Sequence, residues 1–159
     1  MKETLFSKIL QYALYAAFIA GVTGVVTLPI MRGFYSDVIH EVFSVGVAYR
    51  AFIMPFIAVM AIPCLWIVLE MILMLRSVPK DPFVMRNVHA LYRIGIIFFV
   101  LALAFMVKCL IFLLPSAVLL MVLTLACIFL FVMFGLFAFT LAALIRQAVV
   151  FREENDLTI

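Results

Sequence analysis

The stretch CLIFLLPSAVLLMVLTLACIFLFVMFGLFAFTLAALI, residues 109–145, holds 37 residues without one charged side chain. As a single straight helix it would rise about 55 Å, nearly twice the roughly 30 Å hydrocarbon core of a bilayer. It must therefore fold back on itself. Its local breaker is Pro115-Ser116, because proline lacks an amide hydrogen and biases the residue before it away from helix. The stretch reads as a tight hairpin of two membrane spans.

Composition extends this to the whole chain. Of the 159 residues 70% are hydrophobic and 12% charged, and the mean hydropathy of +1.39 lies outside the range of soluble globular domains. Two further apolar stretches fit spans of about 20 residues: 9–31, uncharged throughout, and 51–75, interrupted by Glu70. With 94–114 and 117–145 they predict an all-α integral membrane protein. It has four transmembrane helices in a bundle, forms one domain, and has an outer loop 32–50, a cytoplasmic loop 76–93 and a cytoplasmic tail 146–159. The first span is expected to be retained. Its 23 uncharged residues exceed a signal-peptide core, and no small-residue cleavage site follows Met31.

Orientation follows from the basic residues, which favour the cytoplasmic side. Lys2, Lys8, Arg76, Lys80, Arg86, Arg93, Arg146 and Arg152 fall on one side by this topology, eight of the eleven Lys and Arg in the chain. Both termini and the 76–93 loop are thus expected in the cytoplasm, with the protein in the bacterial cytoplasmic (inner) membrane. The net charge of +3 needs no nucleic acid to explain it.

Span one carries small residues four apart at Ala13, Ala17 and Gly21, and again at Ala16, Ala20 and Gly24. Such ridges let helix backbones approach closely. They serve either packing within the bundle or a homo-oligomer seam. Pro63, near the middle of span two, leaves the Val59 carbonyl without its helical donor and predicts a bend. Span four, with 29 uncharged residues from Ala117 to Ile145, would reach about 43 Å. It must tilt or project, carrying the tail away from the headgroups.

Glu70 and Lys108 are the ionisable residues within spans, and an intramembrane charge is a functional candidate by default. Their depths differ, so Glu70 is expected to meet Arg93 or Arg146, as a structural pair or as a proton or cation site. Lys108 is expected to snorkel outward along its aliphatic stem. Cys64, Cys109 and Cys127 lie in spans without a C-x-x-C pair and read as small apolar fillers. His40 and His89 fall on opposite sides, and no metalloprotease, nucleophile-elbow or phosphate-loop motif is present. The sequence thus points to no catalytic residue, metal or cofactor, and an enzyme is not expected.

In the outer loop, Ser36, Asp37, His40, Glu41 and Ser44 alternate with apolar residues at a helical period. This predicts a short amphipathic helix on the membrane surface. It either rests on lipid or covers a ligand site with His40 and Glu41 as its polar face. In the cytoplasmic loop, Asp81-Pro82-Phe83 reads as a helix N-cap with proline at the first helical position. Span three would then start as a cytoplasmic helix around Phe83. The tail, Arg152-Glu153-Glu154-Asn155-Asp156-Leu157-Thr158-Ile159, is acidic with two aliphatic anchors.

The segment Pro82-Phe83-x-x-x-Asn87 leading through Leu91, Arg93, Ile94 and Gly95, and the terminal Glu153-Glu154-Asn155-Asp156-Leu157-Thr158-Ile159, resemble the YoaS-like family. These are small four-pass bacterial membrane proteins carrying a domain of unknown function. Such proteins are usually paired with a small Xre/Cro-type helix-turn-helix regulator. The resemblance therefore implies a membrane component of a gene-regulatory pair, acting in signal transduction and transcription regulation, with no direct contact to nucleic acid. Under that expectation Glu153, Glu154 and Asp156 occupy part of the regulator's phosphate-binding basic surface. Asn155 lies between them, Leu157 and Ile159 fill an apolar pocket, and a membrane or external signal shifts the tail between free and docked states. Alternatively the tail closes its own bundle by pairing with Arg86 or Arg93. A different class of function is a small transporter or self-protection (immunity or efflux) protein using Glu70 as a coupling carboxylate.

Overall fold

In lipid an apolar segment must satisfy its backbone hydrogen bonds internally, so spans of this composition become helices. The computed structural model describes residues 2–43, 46–77, 84–112 and 118–156. Apart from Met31, Gly46, Val84 and Phe112, all of these lie in five helices: α1 (Lys2–Ile30), α2 (Arg32–Phe43), α3 (Val47–Ser77), α4 (Met85–Ile111) and α5 (Val118–Asp156). Four are long and apolar enough to cross a membrane, over Lys8–Ile30, Val47–Arg76, Met85–Ile111 and Val118–Arg152.

These are the four expected spans, with two extensions. The third helix starts at Met85, ahead of residue 94 and close to the expected start around Phe83, and its N-cap is Val84 with extended backbone and no side-chain cap. The fourth runs unbroken through most of the expected tail, to Asp156. The Pro115-Ser116 turn, the Asp81-Pro82 cap and the last three residues, Leu157 to Ile159, lie outside the described residues. α3 is helical through both Pro55 and Pro63.

The long helices pack antiparallel in chain order. The most extensive contact is α4 with α5, followed by α1 with α3 and α3 with α4. Between α4 and α5 the glycines set the distance. Gly95 lies under the Phe139 ring and Gly135 under the Phe99 ring, and the two rings stack with centroids 5.7 Å apart and planes at 16°. Leu101, Ile94, Ala138 and Ile67 form the central core, and Val88, Leu91 and Ala142 extend it toward the end carrying the termini.

α1 is held mainly by α3. Gly21 faces Leu65, whereas Gly24 has nothing within 4 Å, so one small-residue ridge packs within the chain through its glycine. Ala16, Ala20 and Gly24 are exposed, as are Ala13 and Ala17. At one end Arg76 of α3 donates from Nε and Nη2 to the Tyr15 hydroxyl, at 2.9 and 2.6 Å. At the other end the expected amphipathic helix is present as α2. Its Tyr35 and Ile39 pack on Tyr49, Ile53 and Met54, while Asp37, His40 and Glu41 are exposed.

Candidate functional site

Three polar features stand out on this apolar frame, and they occupy two ends of it. At the end where α1 begins and α5 finishes, Glu70 and Arg93 lie about two turns in from Ser77 and Met85, so antiparallel packing of α3 and α4 brings them to one depth. Arg93 donates from Nε to Glu70 Oε1 at 2.7 Å and from Nη2 to Oε2 at 3.0 Å. This is the paired fork that makes Arg–carboxylate bonds strong and directional. Glu70 is 6% exposed, whereas half of the Arg93 side chain is accessible. Of the two expected partners, Arg93 is therefore the one that meets Glu70, and a transport cycle through Glu70 would have to break this pair. Arg86 is exposed nearby and its charge also acts on the carboxylate.

The same end carries the extension of α5. Beyond Ile145 the helix continues for roughly 16 Å to Asp156. Val149 is buried on one side, while Arg146, Gln147, Val150, Phe151, Arg152, Glu154 and Asn155 are exposed on the others. Tyr92, Ala143, Arg146, Gln147, Val150 and Phe151 line a groove of about 340 Å³ along it. Of the expected partner-binding residues, Glu154 and Asn155 stand on this projecting turn, and the backbones of Glu153 and Asp156 belong to the same helix.

The third feature corrects the expectation for Lys108. Its side chain does not snorkel outward. It is 6% exposed, donates to Thr124 Oγ1 at 2.8 Å and sits 5.4 Å from the centroid of the Tyr49 ring. The reason is local: a hydroxyl and a π face offer the ammonium polar contacts inside the helices, so its stem need not reach for the headgroups. About 22 Å of helix rise along α4 separates Lys108 from Arg93, so the two intramembrane charges are indeed poor partners. Lys108, Thr124 and Tyr49 share a cavity of about 330 Å³ with Ile39 of α2 and apolar residues of α3, α4 and α5.

Residues 47–159 match the family described as a protein of unknown function (DUF2975). The chain belongs to the DUF2975 family. No curated protein and no solved structure matches it. In this DUF2975 chain the match begins at the first residue of α3, so all three polar features fall within the matched part, while α1 and α2 precede it.

His40 and Glu41 of this DUF2975 protein stand on the exposed face of α2, and it is Ile39 between α2 and the bundle that reaches the cavity. His89 is on the first turn of α4, with Nδ1 2.7 Å from the Met85 carbonyl, far from His40. Cys64 is exposed and Cys109 and Cys127 are half-buried, all as free thiols. Thr124 and Tyr49 escaped notice in the sequence, yet a signal existed. Lys108 and Thr124 lie seven and nine residues on either side of Pro115, which a hairpin places at matching depth.

Proposed function

We propose that this DUF2975 protein is the membrane component of a gene-regulatory pair, holding or controlling a small helix-turn-helix regulator at the cytoplasmic surface. In this proposal both termini and the α3–α4 connection face the cytoplasm, as the distribution of Lys and Arg favours. The observation that carries it is the unbroken α5. At 39 residues it measures about 58 Å, far more than a span needs. A rigid helix therefore leaves the membrane and presents Val150, Phe151, Arg152 and Glu154 where a soluble partner can reach them. The likeness of the terminal segment to the YoaS-like family, whose members accompany such regulators, supports the choice of partner.

One helix also joins the two ends of the molecule. Thr124 sits beside Lys108 near the start of α5, and the projecting turns are at its finish. A shift of α5 against α4 at one end is transmitted to the other, provided the signal binds the two arrangements with different affinity.

The test is co-purification from mild detergent of the full-length tagged protein and of a form ending at Phe151, with mass spectrometry of what each retains. A small DNA-binding protein held by the first and lost from the second supports the proposal. If neither form retains one, the regulatory function is excluded under those conditions and the Glu70 transport alternative takes precedence.

A further inference from the structure

We propose that the cavity between α2, α3, α4 and α5 binds a single-chain amphiphile with a carboxylate head, a long-chain fatty acid in chemical terms, drawn sideways from the bilayer. This goes beyond the regulatory proposal and does not depend on it, since the cavity lies at the opposite end of the helices from the projecting turns.

The cavity measures about 330 Å³, at the lower end of the ~300–1,000 Å³ typical of small-molecule sites. That volume suits part of one acyl chain better than the two tails and glycerol of a phospholipid. Its walls are mostly apolar, with Ile53, Phe56, Phe105 and Leu120 among them. Ile57 and Leu123 belong to the same lining and are exposed. They mark an open side that faces the surrounding lipid.

The polar inventory is unbalanced. An ammonium has three donors and no acceptor, and Thr124 takes one of those of Lys108 at 2.8 Å. The Thr124 hydroxyl is itself committed to the Leu120 carbonyl at 2.7 Å. Tyr49 is 1% exposed, and its buried hydroxyl has no hydrogen-bond partner among the described residues. Glu70 is paired with Arg93, and among the described residues no carboxylate answers Lys108. Arg50, next to Tyr49 on α3, likewise has a buried Nε without a partner among the described residues. A buried cation without a counter-charge and a buried phenol without an acceptor are costly in a low-dielectric medium. A carboxylate supplies one negative charge and two acceptor oxygens, enough for both the ammonium and the phenol. An alcohol of equal length supplies no charge.

The test uses the full chain in an uncharged maltoside detergent, photolabelled with a hexadecanoic acid analogue carrying a diazirine and an alkyne. Labelling is expected on the cavity-lining segments of α3, α4 and α5, displaced by hexadecanoic acid and not by hexadecanol. Lys108→Met is expected to weaken displacement about tenfold or more, as for loss of a charge-assisted hydrogen bond. Tyr49→Phe is expected to weaken it by a smaller factor. Tyr49→Phe removes a hydroxyl that none of the described residues uses, so it keeps the test valid if Lys108→Met fails to fold. Cys64→Ala, outside the cavity, should label like the parent. Equal displacement by hexadecanol, or parental labelling in both cavity variants, would overturn the proposal. So would displacement by lysophosphatidylglycerol at lower concentration than hexadecanoic acid, which would assign the cavity to lipid phosphate instead.

Discussion

The ring of Phe139 lies where a side chain at Gly95 would be: a Cβ there would stand 2.7 Å from Phe139 Cε1. The relation is reciprocal, since a Cβ at Gly135 would stand 2.8 Å from Phe99 Cε2 and 3.4 Å from the Gly95 carbonyl. Each helix offers a gap and fills its partner's. Without a hydrophobic drive between helices in lipid, this kind of close van der Waals fit is what holds α4 to α5.

Gly95→Ala should therefore destabilise the fold by about 1–3 kcal/mol, the usual cost of overpacking a filled core. Unfolding by sodium dodecyl sulfate in mixed micelles reads this directly. Gly24→Ala, with open space around it, should leave the midpoint unchanged or slightly raised. Equal behaviour of the two variants would contradict the proposed role of the glycine.

Arg93→Met strands the buried Glu70 carboxylate. The expected loss is about 1–2 kcal/mol, below the roughly 3–5 of fully buried pairs because water reaches half of the arginine. The double variant Glu70→Gln with Arg93→Met should recover part of that loss, since no charge is then left unpaired. A double-mutant cycle in the same unfolding assay measures the coupling, and simple additivity would show that the pair contributes nothing.

Gln147→Pro tests the continuity of α5. Proline there removes one helical hydrogen bond and crowds the Ala143 carbonyl, at a cost of about 3 kcal/mol or more in a helix interior. Amide exchange should rise in residues 148–156 while 118–142 keep their protection. If the protection of 148–156 is unaltered, the projecting segment is held by something other than its helix.

Orientation is open to a labelling test. In a background with Cys64, Cys109 and Cys127 replaced by alanine, Asp37→Cys on the exposed face of α2 should react with an impermeant maleimide in intact cells. Arg152→Cys should react only after permeabilisation. The reverse pattern would invert the topology and place the α5 projection outside the cell.

Hydropathy made four spans legible because lipid imposes one answer on an apolar run, and the amphipathic period of residues 34–43 revealed α2 for the same reason. Depth narrows the partner of Glu70 to Arg93 or Arg146, since all three lie toward the same helix ends, and packing of α3 on α4 selects Arg93. Lys108 was misread. Hydropathy reports how far a residue is from the membrane surface but not which way its helix turns it, and that direction was decided by Thr124 and Tyr49 on two other helices. The reach of α5 is legible only as a choice between tilt and projection. No proline or glycine interrupts Arg146 to Asp156, so nothing in that segment stops the helix where the bilayer does.

Packing in chain order has a meaning for how the protein is made. Every span after the first finds a neighbour already in the membrane when it leaves the ribosome: α3 meets α1, α4 meets α3 and α5 meets α4. No helix has to wait for a distant one, and the separation along the chain between contacting residues stays small, which favours fast assembly. The largest interface, α4 with α5, forms last and closes around Gly95 and Gly135. That interface therefore closes as the last turns of α5, Arg146 to Asp156, emerge.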